Sequence, residues 1–143
     1  MMSVIWPTIQ QVRVVLISAR TEEASQLGRL LKTEQSGSLI QYDSWADFIQ
    51  GPPRLSSCVL AIDTELLGKG LDQAVEIVRR RLPSTGRLFL IGSSGGGAEE
   101  IAARSSGAGY LVRPVHPETW LRILSEATPA PRAVGQPRQV EPL

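Results

Sequence analysis

Five short apolar runs alternate with stretches of helical periodicity along this chain: residues 12–17 (VRVVLI), 38–42 (SLIQY), 58–62 (CVLAI), 87–91 (RLFLI) and 109–112 (GYLV). Each run has the length of a strand. A strand–helix alternation implies parallel pairing, because a parallel pair needs a crossover long enough to hold a helix. Helices on both faces bury a central strand completely, which suits the uninterrupted apolar run CVLAI. In such sheets reactive groups gather at the carboxyl ends of the strands. The residues that follow the runs are Ser18-Ala19, Asp63, Gly92-Ser93-Ser94 and Arg113-Pro114. That is a sparse set for an enzyme.

The intervening segments carry helix signals. Thr21 is placed to cap a first helix opened by Glu22 and Glu23, with Ala24, Leu27, Leu30 and Leu31 on one apolar face and Gly37 closing the segment. Ser44 caps a second helix that buries Trp45, Phe48 and Ile49 and stops at Gly51-Pro52-Pro53. Leu71, Ala74, Val75 and Val78 line a third helix. Its end, Arg79-Arg80-Arg81, complements the helix dipole and reads as a solvated terminus rather than a binding patch. Pro83 and Gly86 mark the turn into the fourth strand. A short fourth helix is expected at 98–104, and a fifth begins at Pro117 with Trp120, Leu121 and Leu124 inward.

These elements define a body at 11–127, preceded by a leader at 1–10 in which Ile5 and Trp6 pack on the sheet edge, and followed by a proline-rich tail at 128–143 without period. Fifteen basic against 14 acidic residues leave no charge excess for nucleic acid or an anionic membrane. No apolar stretch approaches the ~20 residues that span a bilayer. The lone cysteine, Cys58, lies within an apolar run and reads as a buried structural thiol, so the expected compartment is the cytoplasm. The GSSGGG segment at 92–97 lacks the spacing of either phosphate-binding glycine motif and reads as a mobile loop. His116, the single histidine, precedes Pro117 and reads as a capping or surface residue rather than a general base for Ser93 or Ser94.

Order and spacing together resemble the receiver domain of two-component response regulators. The resemblance rests on Asp63 at the end of the third run, followed by TELLGKGLDQAVEIVRRRLP, and on SGAGYLVRPV, which is similar to that family's Gly-Ala turn, fifth strand and Lys-Pro pair. It implies a flavodoxin-like (βα)5 fold, a five-stranded parallel sheet in a three-layer sandwich. By the same resemblance Asp63 stands at the phosphoacceptor position, and Ser93, Tyr110 and Arg113 stand at the switch positions. Partner or homodimer contacts would fall on the face made by the fourth helix, fifth strand and fifth helix, here Ile101, Tyr110, Val112 and Trp120.

The departures from that pattern shape the expected function. Receivers place acidic residues after the first strand to hold Mg²⁺, whereas this chain reads Leu16-Ile17-Ser18-Ala19-Arg20. Mg²⁺ demands oxygen ligands, usually with one or two carboxylates among them. Arg113 in place of lysine is not a conservative exchange at a close contact. The resulting expectation is a pseudo-receiver: no enzyme, no cofactor, weak or absent Mg²⁺ binding, and Asp63 paired with Arg113 or Arg20. It would act as a phosphorylation-independent protein-interaction module of bacterial signalling. The alternatives are a working receiver phosphorylated on Asp63, and a small-ligand or nucleotide sensor built on the strand-end loops.

Overall fold

The computed structural model describes residues 12–34, 37–53, 58–81 and 87–127. The expected leader with Ile5 and Trp6, the Pro83–Gly86 turn signals and the proline-rich tail lie outside the described residues. Five strands, β1 (Val12–Ile17), β2 (Gly37–Tyr42), β3 (Cys58–Asp63), β4 (Arg87–Gly92) and β5 (Gly109–Val112), alternate with α1 (Thr21–Glu34), α2 (Trp45–Gln50), α3 (Leu71–Arg81), α4 (Ala98–Ser105) and α5 (Pro117–Ala127). The sheet is parallel throughout, in the order β2-β1-β3-β4-β5. This is the flavodoxin-like doubly wound order, whose direction reverses between β1 and β3 and opens a crevice at their carboxyl ends.

Side-chain alternation along the strands divides the core. Val12, Val14 and Leu16 of β1 join Val59, Ala61, Phe89 and Ile91 beneath α1 and α5, where Leu27, Leu31, Trp120, Ile123 and Leu124 meet them. Val15 and Ile17 face the other way with Leu60, Ile62, Leu88 and Leu90, covered by Phe48, Val75, Val78 and Ala103 of α2, α3 and α4. Each of the six residues of β3 is buried, as a strand covered on both faces must be. Cys58 is among them; burial pushes its thiol up, against a smaller downward pull from Arg13.

Local signals read from sequence hold with four adjustments. Ser44 accepts a hydrogen bond from the Asp47 amide and caps α2 as expected. Thr21, in contrast, is the first residue of α1 rather than its cap. Gly37 does not close α1 but opens β2, where a Cβ would collide with the Val12 carbonyl oxygen. In α5 the inward residues are Trp120, Ile123 and Leu124, while Leu121 is half-buried; three- and four-residue spacing from Trp120 selects that set. Trp45 and Ile49 are half-buried flanks of the fully buried Phe48, whose ring lies edge-on to Tyr42 with centroids 5.5 Å apart. Among the described residues no helix is long and apolar enough to cross a membrane.

Candidate functional site

The topology brings Ser18, Asp63 and Arg113 to one end of the sheet. The Ser18 amide donates to the Tyr42 carbonyl and the Arg113 amide to the Gly92 carbonyl, at 3.0 and 2.8 Å, so both residues extend the strand pairing and are fixed in place. The Arg113–Pro114 peptide bond is cis. Asp63 is 1% exposed and Ser18 wholly buried.

Asp63 has partners on both oxygens. Oδ1 accepts from the Glu65 amide at 2.9 Å, capping the 3-10 turn at Thr64–Leu66. Oδ2 lies 3.1 Å from Nη2 of Arg113 and 3.6 Å from Nε of Arg20. The expected alternatives, Arg113 or Arg20, are thus realised together. Glu23, from the first turn of α1, then grips the Nε–Nη2 edge of Arg113: Nε donates to Oε2 at 2.9 Å and Nη2, shared with Asp63, to Oε1 at 3.3 Å. The Ser18 hydroxyl also donates to Glu23 Oε1, at 3.2 Å, and accepts from the Arg20 amide. Arg20 in turn donates to Glu65 at 2.9 Å. The set is a closed ionic network in which every carboxylate has a guanidinium. Burial alone would lower the pKa of Arg113, but the Glu23 and Asp63 carboxylates outweigh it and hold the guanidinium above its ordinary value. One atom stands outside this satisfaction: Nη1 of Arg113 is buried with no hydrogen-bond partner.

Glu23 was hidden in the sequence, where an acid in the first helical turn reads as a dipole complement. The signal available was the doublet Glu22-Glu23, of which Glu23 is the half-buried member. The remaining sequence-predicted residues separate. Ser93 is exposed and lines the same cavity as Glu65, the outer carboxylate of the network. Tyr110 is 6% exposed with its ring turned inward, and its hydroxyl lies 2.6 Å from Glu99 Oε1 and 2.9 Å from the Ser94 carbonyl oxygen. Trp120 is 4% exposed beneath α5. Tyr110 and Trp120 therefore do not present themselves on the interaction face where the resemblance placed them, which corrects that expectation; their apolar rings fill the two halves of the core. Among the described residues, Ile101 and Val112 are the large apolar side chains that remain open, 64% and 42% exposed. His116 is exposed, and its backbone carbonyl accepts from the Thr119 and Trp120 amides at the start of α5.

The loops after β3 and β4 enclose a shallow cavity of about 460 Å³ lined by Thr64, Glu65, Ser93, Ser94 and Glu99, among others. Its charged lining residues are the carboxylates Glu65 and Glu99, of which Glu65 is paired with Arg20. Among the described residues no group of three or more acidic, histidine or cysteine side chains converges as a metal site.

Burial first, then the hydrogen bond to Glu99 and its charge, push the Tyr110 phenol up to about 12 from an ordinary 10.0. A phenol whose pKa is higher folded than unfolded contributes stability that is complete below the unfolded value. That contribution is lost as pH rises from 10.0 towards about 12. An alkaline absorbance titration is expected to show Tyr110 ionising late, and Glu99→Ala is expected to bring that step down; ionisation at the ordinary value would contradict the buried hydrogen bond.

No family model matches the chain, and no curated protein matches its sequence. Solved structures do match its fold. A putative pilus assembly protein (CpaE) from Burkholderia thailandensis aligns with 19% identity over 82% of this chain and 98% of the other, with a TM-score of 0.67. The chemotaxis response regulator CheY4 of Vibrio cholerae aligns with 17% identity over 82% and 99%, with a TM-score of 0.65. Full-length FixJ from B. japonicum aligns with 16% identity and a TM-score of 0.68 over 82% of this chain, which spans 58% of FixJ. The fold is that of response-regulator receiver domains.

Proposed function

We propose that this chain is a receiver-fold interaction module of bacterial signalling whose output does not depend on phosphorylation of Asp63. The observation that carries this reading is the pairing of Asp63 Oδ2 with Arg113, itself clamped by Glu23 at 2.9 Å. A positive charge internal to the chain already compensates Asp63. The donor set does not fit Mg²⁺. Oδ1 of Asp63 is engaged by an amide, Oδ2 faces two guanidiniums, and Glu23 and Glu65 are each held by an arginine. A hard dication needs free oxygen ligands, and nearby guanidiniums oppose it by charge. Phosphoryl transfer depends on neutralising the charge that develops on the phosphoryl oxygens. A non-enzymatic role is supported by the exposure of both His116 and Ser93 to solvent. Contacts with a protein partner, or with a second copy of the chain, would use the open Ile101 and Val112 side chains.

One observation favours a second reading. The unpartnered Nη1 of Arg113 is a donor that an oxyanion on or beside Asp63 could satisfy, as in a phosphorylated receiver or an anion sensor. One experiment separates the two. Incubation with acetyl phosphate and Mg²⁺, followed by intact-mass measurement, is expected to give no mass gain. Calorimetric titration is expected to show Mg²⁺ binding no tighter than roughly several millimolar. A stoichiometric gain of one phosphoryl group, lost in Asp63→Asn, would establish the second reading instead.

A further inference from the structure

A cavity of about 260 Å³ lies between α1 and the segment that leads from β5 into α5. Sites for drug-sized molecules measure roughly 300–1,000 Å³, so this one suits a smaller metabolite. Part of its lining is apolar, from Leu27 and Leu30 of α1 with Val115 and Trp120. The rest is charged and balanced, with Arg20 and Arg113 against Glu22 and Glu23. Arg113 and Glu23 hold each other at 2.9 Å, and Arg20 is engaged by Glu65 at 2.9 Å. Two polar groups of the lining stay unmet. Nη1 of Arg113 is a buried donor with no hydrogen-bond partner. Glu22 is an exposed carboxylate with no ion-pair partner among the described residues.

We propose that this cavity binds a free amino acid with an apolar side chain. Its carboxylate accepts from Nη1 of Arg113, its ammonium pairs with Glu22, and its side chain lies against Leu30 and Trp120. A zwitterion suits a lining whose formal charges cancel. A simple anion would meet the unpaired charge of Glu22, and a simple cation would leave Nη1 unsatisfied. That buried donor favours binding, because a ligand oxygen removes the penalty of an unmade hydrogen bond, worth roughly ten- to hundredfold in a binding constant. Nη1 is out of contact with solvent, so the carboxylate reaches it by a local shift of the lining. Arg20, with its side chain 44% exposed, is the member of the network best able to move. The bound molecule would join α1 to α5 and, through Arg113, to Asp63. It would then be an input to a module for which phosphorylation is not one. That use rests on the proposed function; the binding itself does not.

Titration of the whole chain with L-leucine, followed by NMR, tests it. Saturable binding is expected with a dissociation constant of roughly 1 mM or tighter, within reach of a ligand of about nine non-hydrogen atoms, and with shifts centred on the Trp120 indole and the Leu30 methyls. Isoamylamine, which lacks the carboxylate, is expected to bind at least about tenfold more weakly, and isocaproate, which lacks the ammonium, about fivefold. Glu22→Gln changes an exposed side chain and leaves the core intact. It is expected to weaken leucine about fivefold and to bring leucine and isocaproate within about twofold of each other. No saturation by ~10 mM leucine, shifts centred away from Trp120, either analogue binding as tightly as leucine, or a Glu22→Gln variant that keeps the full preference for leucine over isocaproate would each overturn the site. The two readings fail separately: a phosphoryl gain on Asp63 overturns the proposed function, whereas the leucine titration uses protein that has met no acyl phosphate.

Discussion

Glu23→Ala is expected to destabilise the domain by about 3 kcal/mol, measured by chemical denaturation. The Glu23 and Arg113 side chains are each 12% exposed, so solvent can do little to replace the lost carboxylate. The variant strips Arg113 of two hydrogen bonds and leaves its guanidinium, with one unpartnered nitrogen already, sharing Asp63 with Arg20. Removing one member of a buried pair is damaging because the other keeps its desolvation penalty. The companion variant is informative for that reason. With Arg113→Met added, no buried cation is left uncompensated, and Asp63 keeps Arg20 at 3.6 Å and the Glu65 amide at 2.9 Å. Most of the stability is expected to return in the double variant. A Glu23→Ala loss below about 1 kcal/mol would place the pair among ordinary surface bridges and remove the internal charge compensation on which the proposed function rests.

The same pair shows where sequence reasoning reaches its limit. Strand positions and the Ser44 cap were legible because periodicity and capping are local. Asp63 and Arg113 could be placed at strand ends for the same reason. Glu23 and Arg113 are 90 residues apart, and nothing local distinguishes an acid that complements a helix dipole from one that also turns into the crevice. Tyr110 poses the converse difficulty. A strand of four residues alternates in and out, but GYLV is apolar on both sides, so the pattern does not say which face is buried. The answer lies in Gly92 on the neighbouring strand, whose missing side chain admits the phenol, and in Glu99, which accepts its hydrogen bond. A glycine at the end of a strand reads as a turn signal in sequence; its use as a socket emerges only when the strands are laid side by side.

Trp120→Ala is expected to cost about 3–5 kcal/mol, the largest loss of any substitution considered. The indole is 4% exposed and packs with Leu27, Leu31, Ile123 and Leu124 against the β1, β3 and β4 side chains. Truncation therefore leaves a cavity between α5 and the sheet that the rigid strands cannot close. Ile101→Ala removes a side chain that is 64% exposed, and its effect on stability is expected to stay within ~0.5 kcal/mol. Both residues were candidates for one interaction face, and paired denaturation curves distinguish their roles. A small loss in Trp120→Ala would mean that α5 packs less closely than its buried face indicates, and would return Trp120 to the accessible surface. A large loss in Ile101→Ala would mean that Ile101 is covered in solution, by a second copy of the chain. In that case the midpoint of the parent protein would rise with protein concentration and that of the variant would not, because coupling of folding to association makes stability depend on mass action.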